Sequence, residues 1–326
     1  MKKTLSIMLV LVLLVSMLAG CGGGSAEEET KTSWTIGICQ QMPHAALDSA
    51  TNGFMDAVKE GLGEENVEFL VQNAQGDPTT CTTIANDFVT KKVDLILGNA
   101  TNALQAAANA TTEIPVLGTS VTEYGTALGI ADFNGLVGGN VSGCSDLAPL
   151  DEQAAMILEL FPDTKTVAML YCSGEANSAY QVKKVAEWLE ANGVATVDYP
   201  FADSNDIASV SKAAAAAADV IYIPTDNTAA SFAESINGAV LPTGTPIMGG
   251  DAGICGGCGI ATLCIDYYDL GVATGKMAVK ILSGEEKIEE MPISYSETFS
   301  KVYNPVNCAE LNIDIEALEA AGYTPL

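Results

Sequence analysis

Six short polar clusters in this sequence each follow an apolar run. They lie at residues 40–44, 99–102 and 119–122 in the first half, and at 173–178, 224–228 and 250–251 in the second. The first three supply Gln40, Asn99, Thr119 and Ser120, and the second three supply Ser173, Glu175, Ala176, Asn177, Asp226, Asn227 and Asp251. Amides, hydroxyls and carboxylates in this mixture suit non-covalent capture of a small polar ligand. All 14 basic residues are lysines, so no arginine is available to clamp an anion. A ligand carboxylate would then be met by hydroxyls and helix-start N–H groups, on Thr119 and Ser120 or on Ser173 and Gly174. A ligand ammonium would be met by Asp226, with Asp251 and Glu175 as the other acids in reach. Asp226 also reads as the N-cap of the helix that follows it.

Enzymatic chemistry finds little support. There is no Gly-x-Ser-x-Gly elbow, no Gly-x-Gly-x-x-Gly turn and no phosphate-binding Walker loop, so no cofactor is expected. The one histidine, His44, stands just inside a helix start with Asp48 four residues on, and reads as a cap or packing residue ahead of a base. Eight cysteines lie beyond residue 21, several in apolar runs where a thiol acts as a small hydrophobe. The tight pair Cys255 and Cys258 reads as incidental or disulfide-bonded; no metal is expected, because further ligands are far away in sequence. Neither tryptophan is placed to stack on a sugar ring: Trp34 begins a strand, and Trp188 is in the middle of a helix.

These clusters need strands to end in them and helices to start from them. Apolar runs at 34–39, 67–73, 93–97 and 115–117 alternate with helical patterns at 44–62, 80–90 and 101–110. After a glycine-rich stretch at 124–145 and a helix at 151–161, the alternation begins again. Strands are expected at 166–171, 196–199, 220–223 and 246–248, and helices at 179–192, 206–218 and 229–239. A strand at 260–265, a helix at 269–283 and a short helix at 315–321 complete the chain. This is an α/β pattern: two Rossmann-like lobes, each a parallel sheet flanked by helices, joined by a multi-stranded hinge. Ligands bind at the carboxyl edge of such sheets. The expected lobes are 34–122 with about 260–285, and 146–250 with about 296–326, with crossings near 122–145, 249–259 and 283–295.

The chain opens with Lys2 and Lys3, an apolar run and Leu18-Ala19-Gly20-Cys21, read as a signal peptide over 1–20. The ending resembles the bacterial lipobox, which implies diacylation of Cys21, with 21–33 as a flexible tether. The protein is then expected at the cell membrane, lipid-anchored on the extracytoplasmic side. A formal net charge of −27 over 326 residues argues against nucleic acid as a partner.

Five motifs in order carry a resemblance to a known family. They are Gln40-x-x-x-His44-x-x-Leu47-Asp48 with Gly53-Phe54, then Gly138-Gly-Asn-Val-x-Gly143-x-Ser145-Asp146-Leu147 and Leu170-Tyr-x-Ser-x-Glu-Ala-Asn-Ser178. Pro224-Thr-Asp-Asn-Thr228 and Asp266-Tyr-Tyr-x-Leu-Gly271 follow. Together they resemble the substrate-binding lipoproteins of TrpX-like ABC transporters. Departures are Ala45 where proline is usual, Cys172 where asparagine is common, and the 255–258 loop in place of a valine-rich segment. The resemblance implies the type I periplasmic-binding-protein fold, an aromatic amino acid as ligand, an ABC permease as partner and a monomeric binding protein rather than an enzyme. The competing expectations are a lipid-anchored sensor of the same fold feeding a receptor, or uptake of another small polar ligand such as a nucleoside.

Overall fold

The computed structural model describes residues 32–326; the expected signal peptide, Cys21 and nearly all of the tether lie outside them. The first series is β1 (Trp34–Gln40), α1 (Ala45–Leu62), β2 (Val67–Asn73), α2 (Pro78–Lys91), β3 (Leu95–Asn99), α3 (Thr101–Ala110), β4 (Val116–Val121), α4 (Tyr124–Leu128) and β5 (Val141–Ser145). The second is α5 (Leu150–Leu160), β6 (Thr166–Cys172), α6 (Ala176–Ala191), β7 (Ala195–Phe201), α7 (Ile207–Ala217), β8 (Val220–Ile223), α8 (Asn227–Ser231), α9 (Ala233–Val240), β9 (Ile247–Gly249), α10 (Ala252–Gly257) and β10 (Ala261–Cys264). The chain ends with α11 (Tyr267–Leu282), β11 (Ser294–Tyr295), β12 (Ser300–Tyr303), α12 (Pro305–Glu310), α13 (Ile315–Ala320) and β13 (Thr324–Pro325).

Strands β3, β4 and β8 are buried along their whole length, which is why their sequences run apolar rather than alternating. They lie inside two sheets. The first has the order β2-β1-β3-β4-β5-β11 and is parallel throughout. The second has the order β7-β6-β8-β9-β10-β12-β13, with only β12 running against its neighbour β10. Both contain the same doubly wound order, and strand direction of winding reverses between β1 and β3 in one and between β6 and β8 in the other. Such switch points open a crevice at the strands' carboxyl ends. Gln40 and Asn99 stand at the first; Cys172 and the 224–228 loop stand at the second.

The crossings between lobes differ from the sequence expectation in two places. The 122–145 stretch does not cross: β5 lies in it and completes the first sheet, so the chain leaves only after Ser145. Its glycines allow close approach rather than looseness, since a Cβ on Gly143 would strike the Gly118 carbonyl. The 249–259 stretch does not cross either. It forms α10, the connection that carries β9 to β10 within the second sheet, where Ala261 pairs with Met248. The strand expected at 260–265 therefore belongs to the second lobe, and only α11 returns to the first. The third crossing falls just after β11, which pairs with β5, and before β12.

Helices α1 and α11 pack backbone to backbone across the first lobe. A Cβ at Gly271 would strike the Ala50 carbonyl oxygen, one at Gly53 the Tyr268 carbonyl oxygen, and one at Gly275 the Phe54 carbonyl oxygen. This contact fixes α1, and with it His44 at its start, against the chain that has just crossed from the second lobe. Overpacking of this kind typically costs about 1–3 kcal/mol. Gly271→Ala is expected to lower stability by that amount in a denaturant titration, and an unchanged midpoint would show that the helices have room to part.

Candidate functional site

The first lobe's wall is built by the ends of β1, β3 and β4. Gln40 is locked in place: its amide donates to Asp48 Oδ1 at 2.6 Å and to the Met42 carbonyl at 3.0 Å, and its Oε1 accepts from Thr51 Oγ1 at 2.8 Å. Asn99 Nδ2 donates to the Leu47 carbonyl at 2.8 Å and to Thr51 Oγ1 at 2.9 Å. Because a carbonyl only accepts, Asn99 Oδ1 must be the free acceptor, and it is buried with no partner. Thr119 pairs with Asn99 in the sheet register, and β4 bulges immediately after Gly118. The bulge puts Ser120 at φ 55°, a left-handed conformation that re-aims its side chain. The hydroxyls of Thr119 and Ser120 are both buried and without partners. So the wall presents one oriented acceptor and two hydroxyls.

The second lobe's wall centres on Glu175, which is 3 % exposed. Its carboxylate accepts from the backbone N–H of Asn227 (3.0 Å) and Thr228 (2.9 Å), from Asn227 Nδ2 (2.7 Å) and from Thr228 Oγ1 (2.7 Å). Asn177 Nδ2 adds a contact at 3.3 Å and donates to the Thr225 carbonyl at 2.9 Å, leaving Asn177 Oδ1 as a buried acceptor without a partner. Glu175 is therefore fully engaged in holding the start of α8. Asp226 is engaged too. Its carboxylate accepts from the N–H of Ala229 and of Cys172, both at 2.7 Å, and from Ser178 Oγ at 2.7 Å. Burial, and then the charge of Glu175, push the Asp226 carboxyl well above the usual range. All three of its bonds run inside the second lobe, joining β6, α6 and α8. Ser173 is exposed and donates to the Phe201 carbonyl at 3.2 Å, and Ala176, half-buried, opens α6.

The floor is formed where the chain crosses. Asp146 directly follows β5 and is 4 % exposed. Tyr267 donates its hydroxyl to Asp146 Oδ2 at 2.9 Å, while Asp146 Oδ1 is buried with no partner. Burial raises this carboxyl to about 6, opposed by the hydroxyls of Tyr267 and Thr122 and assisted by the charge of Asp251. Asp251 caps α10 through Ile254 N–H at 2.9 Å; burial raises it as well, and His44 across the cleft pulls it back. Gln153 supports the neighbouring backbone, donating to the carbonyls of Gly250 and Leu263 and accepting from Tyr222.

The two walls touch. His44 Nε2 lies 3.2 Å from Asn227 Oδ1, Ser231 Oγ donates to the Pro43 carbonyl at 3.0 Å, and Gln181 Nε2 reaches Thr122 Oγ1 at 3.4 Å. Of the buried polar side-chain atoms without partners among the described residues, six belong to this cleft: His44 Nδ1, Asn99 Oδ1, Thr119 Oγ1, Ser120 Oγ, Asp146 Oδ1 and Asn177 Oδ1. Buried polar groups are ordinarily satisfied, so six left open on the two lobes mark the cleft as the candidate site. An open groove of about 390 Å³ beside Ala45, Ser49, Cys264 and Leu326 contains none of these atoms.

A family model for ABC transporter substrate binding proteins matches residues 35–320, and the chain belongs to that family. It has the type I periplasmic-binding-protein fold. It is 33% identical over 303 residues to a tyrosine-binding protein of Clostridioides difficile strain R20291, covering 90% of this chain and 87% of the relative. It is also similar to the crystal structure of an ABC domain in complex with L-Trp from Streptococcus pneumonia. That match has 32% identity and a TM-score of 0.84, and covers 90% of this chain and all of the other. The ligand-free, open structure of a substrate-binding protein with adhesive properties from Clostridium difficile is 33% identical with a TM-score of 0.68, covering 90% of this chain and 99% of that one. At nearly equal identity, the lobes here are arranged more like the complex than like the open form, in keeping with the cross-cleft hydrogen bonds.

The strand-end clusters thus bring Asn99, Thr119, Ser120 and Asn177 to the cleft as open polar groups, with Gln40, Glu175, Asp226, Asn227 and Asp251 bonded around them. Asp146 escaped the sequence reading of the site. It stands in a motif of the family resemblance, which was the one available signal. Cys255 and Cys258 are buried free thiols, as are the other six cysteines of the described residues. Asp226→Ala would strand two backbone N–H groups and a hydroxyl, and is expected to cost about 1–3 kcal/mol of stability. Ligand affinity of the folded variant should change less than about threefold. A calorimetric titration beside a denaturation curve checks both, and a large loss of affinity with unchanged stability would put Asp226 on the ligand.

Proposed function

We propose that this protein captures an aromatic α-amino acid between its two lobes and presents it, closed, to a membrane ABC permease. The observation that carries the reading is the group of open polar atoms at the first lobe's edge. Asn99 and Thr119 sit on paired strands, Ser120 follows at the bulge, and Asp146 N–H bonds the Val121 carbonyl one residue on. One carboxylate oxygen, one amide oxygen and two hydroxyls within adjacent strands match an α-amino acid head group. Asp146 and Asn99 take the ammonium, and the Thr119 and Ser120 hydroxyls take the carboxylate. With no arginine in the chain, this arrangement holds both charges without an opposing cation on the protein. The tyrosine and L-Trp of the two relatives support an aromatic side chain.

Asp146 must be ionised to pair with the ammonium, and burial raises its carboxyl to about 6. Affinity for an amino acid should therefore rise with pH through 6 and level off above it, being about tenfold weaker at pH 5 than at pH 7. Asp146→Asn keeps the shape but removes the charge, and is expected to weaken binding roughly thirtyfold or more and to flatten this pH profile. Isothermal titration across pH tests both. A variant that binds normally with the profile intact would place the ammonium elsewhere.

The lipid anchor completes the proposal. Cleavage before Cys21 and diacylation of its sulfur would hold the binding unit, as a monomer, at the outer membrane face beside its permease. Cys21→Ser is expected to abolish fatty-acid labelling and release the protein or leave it as precursor. A labelled, membrane-partitioned variant would rule this anchor out.

A further inference from the structure

Two of the six open atoms are not used by the amino-acid head group. His44 Nδ1 belongs to the first lobe and Asn177 Oδ1 to the second, and a single network orients both side chains. Asn177 Nδ2 and Asn227 Nδ2 both donate to Glu175 Oε2, at 3.3 and 2.7 Å. A carboxylate only accepts, so Asn227 must turn its Oδ1 the other way, towards His44 Nε2 at 3.2 Å. That oxygen in turn only accepts, so His44 Nε2 carries a proton and donates to it. Asn177 is fixed by the same logic, since its Nδ2 also donates to the Thr225 carbonyl at 2.9 Å. Asn177 is 5 % exposed; His44 is half-buried, but its Nδ1 is enclosed. Asn177 therefore offers the cleft one enclosed acceptor, held by the same network that holds the His44 ring.

We infer that Asn177 Oδ1 reads a hydrogen-bond donor on the ligand's side chain, such as a phenol O–H or an indole N–H, and thereby excludes phenylalanine. This rests on the amino-acid reading of the head-group site and adds a selectivity to it. A ligand with a plain benzyl side chain would close the cleft over this acceptor with nothing to accept from. Sites built to hydrogen-bond a ligand O–H or N–H reject the analogue that lacks it far more strongly than apolar pockets reject a lost methylene. Because Asn227, which shares Glu175 with Asn177, also bonds His44 of the first lobe, the network that fixes Asn177 is complete only when the lobes have closed. The side-chain donor is thus sensed in the closed state, and selectivity and closure are coupled.

The test is a set of calorimetric titrations of the purified protein with L-tyrosine, L-tryptophan, L-phenylalanine and 4-fluoro-L-phenylalanine. Tyrosine or tryptophan should bind about 10- to 100-fold more tightly than either compound without a donor. In Asn177→Ala the gap should fall to about threefold, through lost affinity for the donor-bearing ligand with phenylalanine little changed. A merely structural role would weaken all four ligands together. Equal binding of phenylalanine and of both donor-bearing amino acids by the unaltered protein would overturn the inference while leaving the amino-acid site standing. Binding of none of the four would overturn the amino-acid reading beneath it as well. The comparison of ligands on the unaltered protein needs no variant to fold.

Discussion

The carboxylate of Glu175 governs the geometry of the cleft without being one of its open groups. Placed at the start of α8, it is surrounded by two backbone N–H groups, a hydroxyl and two amides. A carboxylate so buried is stable only with its lone pairs filled, and filling them dictates which way each donor must turn. The amide of Asn227 then has one orientation, the ring of His44 a proton on Nε2 and the amide of Asn177 one free oxygen. A carboxylate filled by donors of its own lobe thus fixes the polarity of the wall around it.

The absence of arginine gives the opposite wall its character. Without a guanidinium, the first lobe uses hydroxyls, an amide oxygen and the half-shielded carboxyl of Asp146. The charge of Asp251 helps burial to raise Asp146, and Tyr267 keeps its proton, since burial and both acids push its phenol up. Burial disfavours the ionised form of both acids, and a cationic group entering the cleft would favour it. Closing over such a group and leaving water outside strengthens the same interaction.

How much of this could be read in the sequence follows from what each residue's role depends on. The βα rhythm was legible because parallel strands covered on both faces have to be apolar throughout, as in Leu95–Asn99 and Val220–Ile223. The strand-end polar clusters were legible for the same reason, since a polar residue ending such a run stands at the sheet edge. The routes between lobes were not. Glycines at 138–143 look like a loose connection, yet Gly143 is there because β4 and β5 approach closely; and the short α10 is too brief for periodicity to reveal. The roles of the acids were also hidden. Asp226 and Asp146 are the same chemical group in similar polar surroundings, and only three-dimensional contacts show that three donors fill one and that the other has an oxygen to spare.

The thiols described above have a practical consequence. All eight cysteines of the described residues lie in the interior, none more than 5 % exposed. A maleimide dye would meet no exposed sulfur among them, so a single cysteine introduced at the rim would be labelled in isolation. Ser231 and Pro43 face each other there from opposite lobes. A fluorophore at either position would pass from solvent to a lobe–lobe contact as the cleft shuts, which makes this fold a ready frame for an optical reporter of its own ligand.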